Sequence, residues 1–225
     1  MDLPRPGERP DDRPVVVGFD GSAPARAALR FAARHAVAVR APLRVVAVAR
    51  DLADGPSSLT AAERALAAAD RLLRASGTLD ARAQVRCGPV ARGLLEAAAG
   101  SRVLVVGRGA RPGPVVRDLL AACPVPLALV PVAGARSSAE DVLVPLAGDA
   151  SDVPVLAEGR DWAVRRGSRL HVVHALRTGP RTPARPGAPG TAADDGACLV
   201  VLAHRGDGAE DLLGRQDRPV LLVPG

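Results

Sequence analysis

Residues 14–22 read PVVVGFDGS. Val15 to Phe19 is an apolar run that ends in a Gly/Asp turn. Runs of this kind suit a central parallel strand covered on both faces. Ser22 is placed to cap the helix that follows. Along that helix Ala25, Ala28, Leu29, Ala32 and Ala36 recur at helical spacing, and Arg26, Arg30 and Arg34 form the opposite, wet stripe. A buried strand, a tight turn and an amphipathic helix make the building unit of an α/β sheet.

The unit repeats downstream. Leu43 to Ala49 (LRVVAVA) reads as a second strand. Thr60-Ala-Ala-Glu63 has the form of a capping box opening a second helix. Its apolar face is Ala62, Leu66, Ala69 and Leu73, and Gly77 stands where a C-terminal stop belongs. From Ala81 to Cys87, small or apolar residues alternate with Arg82, Gln84 and Arg86, the period of a half-exposed edge strand. A short helix over Val90–Ala99, a buried strand at Val103–Val106, a glycine turn from Gly107 to Gly113, a helix over Val115–Ala122 and a strand at Leu127–Val132 follow. Strands and helices alternate throughout, which predicts an open, Rossmann-like α/β sheet of parallel strands.

The pattern then restarts. The stretch from Val15 is echoed by VLVPLAGDASDVPVLAEGRDWAVRRGSRLHVVHALR from Val142, and RVLVVGRGARPGPVVRDLLAACPVPLALVPV is echoed from Ala197. This predicts an internal duplication with a shortened second copy. The organisation expected is a disordered lead at 1–13, a first domain at 14–132, a hinge at 133–139 and a second domain at 140–225. Residues 177–196, rich in Pro, Gly and Ala, read as a linker inside it. The second copy lacks an edge strand, so a new exposed sheet edge is expected there, a site for pairing with another copy of the chain.

Composition limits the chemistry. The 225 residues are 48% hydrophobic and 24% charged, a globular balance. Lysine is absent from the sequence, which removes a Walker lysine, a Schiff base and a Ser-Lys dyad. Asparagine is absent too, which removes a Cys-His-Asn triad. The net charge is +6, but the aromatics are only Phe19, Phe31 and Trp162, too few for a base-stacking platform. Residues 1–136 hold 20 Arg against 12 acids (+8) and residues 137–225 hold 10 against 12 (−2), with no dense basic arm in either. No nucleic-acid partner is expected. Cys87, Cys123 and Cys198 are odd in number and far apart, and read as buried free thiols of a reducing cytoplasm. No signal peptide and no membrane span is read in the chain.

In open α/β sheets, ligands sit at the carboxyl ends of strands. Two loops qualify, Asp20-Gly21-Ser22 after the first strand and Gly107 to Gly113 after the fourth. Glycines there let backbone N–H groups approach an anion at a helix start, and Asp20 can accept hydrogen bonds from a ribose or a base. The alternative is equally weighted: the glycines only form turns and Asp20 only caps.

VVVGFDGS, ARAALRFAARHA, RVLVVGRG and CPVPLALVPV together resemble the universal stress protein domain. The resemblance covers Pro14 to Val132, and Asp141 to Gly225 in shortened form. It implies a tandem pair packed as an internal pseudo-dimer, open to further dimerisation. It also implies a non-catalytic stress-response role acting mainly through protein contacts. An ATP- or AMP-sensing role in the first-domain crevice is the alternative. ATP-binding members have an Asp after the first strand, a backbone contact on the second, and a G-x2-G-x9-G-[S/T] phosphate loop. These map onto Asp20, with Gly21 and Ser22 beside it, onto Val48, and onto Gly107, Arg108, Gly109 and Gly113. The phosphate loop is degenerate: one residue separates Gly107 from Gly109, and no Gly-Ser or Gly-Thr pair follows before Cys123. In the second copy Ala203-His-Arg-Gly206 replaces the first glycine, Arg215 follows Gly214, and Asp149 and Ser151 stand near the Asp position. Nucleotide binding is therefore expected to be weak or lost. Arg108, Arg111 and Arg205 are read as solvated in preference to binding phosphate.

No metal site is expected. His35 is expected to be exposed, His171 and His174 to point to opposite faces of a strand, and His204 to lie in a turn. Gly18-Phe-Asp-Gly-Ser22 matches neither a nucleophile elbow nor a pyrophosphate loop, so no enzyme is expected.

Overall fold

A computed structural model describes residues 13–50, 56–77, 81–109, 111–132, 141–146, 148–150, 152–174, 197–203 and 218–224. In chain order these form β1 (Val15–Gly18), α1 (Ala23–Val39), β2 (Leu43–Ala49), α2 (Pro56–Ala75), β3 (Ala81–Cys87), α3 (Val90–Ala98), β4 (Val103–Arg108), α4 (Pro114–Ala122) and β5 (Leu127–Pro131). β6 (Asp141–Leu146), α5 (Asp152–Arg166), β7 (Leu170–His174), β8 (Ala197–Ala203) and β9 (Val220–Val223) follow. Residues 1–12 of the expected lead at 1–13, the hinge, the linker, and the Ser151 and His204–Arg215 positions lie outside the described residues.

One sheet of nine strands runs β3-β2-β1-β4-β5-β9-β8-β6-β7. Neighbours are parallel everywhere except at β5 and β9, which pair antiparallel through Leu127–Leu222, Ala128–Leu221 and Leu129–Val220. Relative to one another, β6, β7, β8 and β9 take the order that β1, β2, β4 and β5 take. The alternating segment β3 ends the sheet on one side, as its pattern predicts, and β7 ends it on the other.

The apolar run of β1 explains its place. Val15, Val16 and Val17 are each fully buried because both faces of the sheet are covered. Val15 and Val17 pack with Phe31, Leu29 and Trp162 on the α1, α2 and α5 side, while Val16 packs with Leu94, Leu119 and Leu127 on the α3 and α4 side. The result is three layers, helix, sheet and helix.

Three local expectations need correction. Thr60 lies inside α2, which starts at Pro56, so the capping-box reading fails. The helix runs back one turn because Pro at a first helical position loses no hydrogen bond. Cys87 is exposed, because it closes the edge strand β3; Cys123 is buried. His35 is buried at 1% exposure. The arginine stripe of α1 suggests water beside it, but α5 packs over this flank.

Candidate functional site

β1, β2 and β4 end at one crevice. It is a cavity of about 340 Å³, within the usual range for small-molecule sites. Asp20 and Ser22 come from the turn after β1, Val48 from β2, Gly107 from β4 and Val116 from the first turn of α4. The strand ends meet because β1 sits between β2 and β4, the arrangement on which the sequence argument depended.

The β1–α1 turn is built by short polar residues. The Asp20 Oδ1 accepts from the Ser22 N–H at 2.9 Å, and Ser22 Oγ accepts from the Ala25 N–H at 3.2 Å, capping α1. Gly21 takes φ +81°, a left-handed conformation that costs glycine little. Its carbonyl accepts from Arg26 Nη1 at 2.5 Å. These bonds hold the Asp20 carboxylate on the cavity wall with its side chain exposed.

Gly107 has a packing role. A Cβ at this position would run into the Pro24 and Ala25 backbone of α1. The glycine thus lets the first turn of α1 lie against β4 and closes the crevice from below. Gly109, Gly113 and Arg108 do not line the cavity. Gly113 is the N-cap of α4 and supplies no side-chain cap. Arg108 is 3% exposed, which corrects the solvated reading. Alternation along β4 turns Arg108 to the α3 and α4 face, opposite Gly107.

Several lining residues carried no signal in the sequence. Ser58 and Ala62 come from α2, and Val90 and Leu94 from α3, two helices placed only by tertiary packing. Arg50, one residue past β2, brings the wall a positive charge. Its N–H donates to Ser58 Oγ at 2.9 Å. A basic residue directly after a strand's carboxyl end was the one available clue.

The site is therefore apolar on the α2 and α3 sides and polar at the start of α1. It joins one carboxylate, one guanidinium, and two helix starts whose dipoles favour negative charge. Ser22 and Ser58 supply hydroxyls, both already engaged with backbone N–H groups, and among the described residues neither His nor Cys lines it.

Elsewhere, His171 Nε2 lies 3.0 Å from Asp141 Oδ2, joining β6 and β7. That contact, with Arg169, holds the Asp141 carboxyl below its usual range. Among the described residues no three His, Cys, Asp or Glu group as metal ligands. Likewise no described helix is long and apolar enough to cross a membrane.

Among solved structures, a universal stress protein from Archaeoglobus fulgidus DSM 4304 superposes with a TM-score of 0.72 at 13% identity. The match covers 95% of this chain and 98% of that one. A family member from Burkholderia pseudomallei matches at 24% identity and TM-score 0.46, over 56% of this chain and 99% of its own. A universal stress protein solved with cAMP matches at 20% identity and TM-score 0.40, over 72% and 97%. Among curated proteins, none matches. The model of the universal stress protein family matches residues 13–131, more than half of the 225, and the chain belongs to that family.

Proposed function

We infer that the protein is a non-catalytic regulator whose first-domain crevice takes an adenine nucleotide, held by its nucleoside more than by its phosphates. One observation carries this: the crevice beside Asp20 is open, at about 340 Å³, with Asp20, Ser22, Val48 and Gly107 on its wall. Apolar walls from Val48, Val90 and Leu94 suit a base. The Asp20 carboxylate suits ribose hydroxyls. Gly109 and Gly113 stand apart from the cavity, so the phosphates lose the amide contacts of an intact loop.

In this reading residues 14–132 form a complete copy and residues 140–225 a shortened one. The shared strand order and the antiparallel β5–β9 join support an internal pseudo-dimer. Ligand binding then biases the pair's conformation, which protein partners read. A cytoplasmic setting keeps the exposed Cys87 thiol reduced.

Calorimetric titration with adenosine, AMP and ATP tests the reading. Saturable binding of all three is expected, with phosphates adding little, and Asp20→Ala should weaken each at least about tenfold, about 1.4 kcal/mol. A folded protein that gives no heat with any of them would leave the crevice vestigial and protein contacts alone as the function.

A further inference from the structure

The flank where α1 meets α5 holds a second unusual group. His35 of α1 stacks on Trp162 of α5, with ring centroids 3.7 Å apart and planes within 5°. Both are about 1% exposed. Phe31 stacks on the same indole at 5.8 Å, and the Arg166 guanidinium lies 5.5 Å from the Phe31 ring and 5.9 Å from the indole. Neither imidazole nitrogen of His35 has a hydrogen-bond partner among the described residues. A phenyl ring would fill this slot without stranding a polar atom. What imidazole adds to the packing is a proton-binding site.

We propose that this junction is a proton-operated latch: neutral His35 closes on Trp162, and protonated His35 releases it, loosening α5 from α1 while β5 and β9 stay paired.

The surroundings fix the direction. α5 brings Arg165 and Arg166 toward the imidazole, and the turn before β4 brings Arg102. The acids of this part of α5 are committed: Asp161 pairs with Arg102 at 3.3 Å and Arg165 at 2.6 Å, and Glu158 accepts from Trp162 Nε1 at 2.9 Å. On α1 itself, Arg30 and Arg34 are exposed, as are Glu63, Arg64, Asp70, Arg71 and Arg74 of α2. β1 and β5 carry no titratable side chain, and Arg44 of β2 bonds Ala97 O on the opposite face. An imidazolium here would be buried among cations with no carboxylate to spare. Burial first, then Arg166, Arg102 and Arg165, hold His35 well below its ordinary value. The unfolded chain takes up a proton near pH ~6.5 that the closed latch refuses. Stability is therefore complete above that pH and is lost as pH falls below it.

The chain reports on itself, since Trp162 is its one tryptophan and it has no tyrosine. Trp162 emission and urea stability are measured on the full chain from about pH 8 to about pH 5, alongside His35→Phe and Glu158→Gln. In the wild type, emission should change reversibly with a one-proton midpoint below ~6.5 while far-ultraviolet circular dichroism holds. The folded-to-unfolded ratio should fall by up to about tenfold per pH unit relative to His35→Phe. Glu158→Gln, which keeps an acceptor for the indole, should retain the transition. Identical profiles for the wild type and His35→Phe would overturn the proposal. If His35→Phe does not fold, Arg166→Gln decides: removing the largest neighbouring charge must raise the midpoint, and an unmoved midpoint overturns the proposal.

Discussion

The turns after β1 and β6 start from the same plan, a strand, a glycine turn and a helix, yet use their carboxylates differently. After β1, Asp20 makes one bond to the Ser22 N–H and stays exposed on the wall of an open cavity, while Ser22 caps α1. After β6, Asp152 at the start of α5 folds back, its Oδ2 accepting from the Gly148 N–H at 2.6 Å and the Asp149 N–H at 3.2 Å. One turn delegates its capping to a serine and leaves an acid facing outward. The other spends Asp152 on the turn itself and leaves Asp149 exposed. At Asp20 the exposed carboxylate goes with a serine that takes over the capping of α1.

The same contrast separates the glycines. Gly107 gives way to helix backbone, whereas Gly159 of α5 gives way to the Val144 side chain. Backbone at a helix start has nowhere to go, but a valine can change rotamer.

Five substitutions test these comparisons. Trp162→Ala should have the largest effect, about 3–5 kcal/mol, because it empties the buried α1–α5 seam. Urea unfolding measures it, and a cost under about 1 kcal/mol would mean α5 contributes little to holding the two parts together. Gly107→Ala should follow at about 1–3 kcal/mol. Gly159→Ala should cost clearly less in the same assay, since a gain of about 1 kcal/mol in helix propensity offsets the clash. Equal costs would erase the distinction between backbone and side-chain contacts. Asp152→Ala should lose about 1 kcal/mol of thermal stability through its two turn bonds. Smallest in stability is Asp20→Ala, at about 0.5 kcal/mol, even though it should abolish most nucleotide binding. An Asp20 variant that unfolds as readily as the Asp152 variant would show that both acids are structural.

Much of the fold is legible in the sequence because it rests on local pattern. The run Val15–Val17 marks a strand covered on both faces, the alternation after Ala81 marks an edge, and Gly77 does take φ +73° beyond α2. Reading fails where distant chain decides the environment. The Arg26, Arg30 and Arg34 stripe predicts water beside His35, and no local pattern shows that Trp162, more than a hundred residues later, covers it. Arg108 is misread for a similar reason, since strand alternation against α3 and α4 buries it. The site divides in the same way. Of the residues singled out in the sequence, Asp20, Ser22, Val48 and Gly107 line the cavity at or near strand ends, while Ser58, Val90 and Leu94 arrive on helices whose docking no local motif encodes.

The antiparallel meeting of β5 and β9 gives the sheet two rims of strand carboxyl ends that face away from each other. The carboxyl ends of β1, β2 and β4 open at one rim, and those of β6, β7 and β8 at the other. What joins the two rims is a shared spine, three registered residue pairs of backbone, Leu127–Leu222, Ala128–Leu221 and Leu129–Val220.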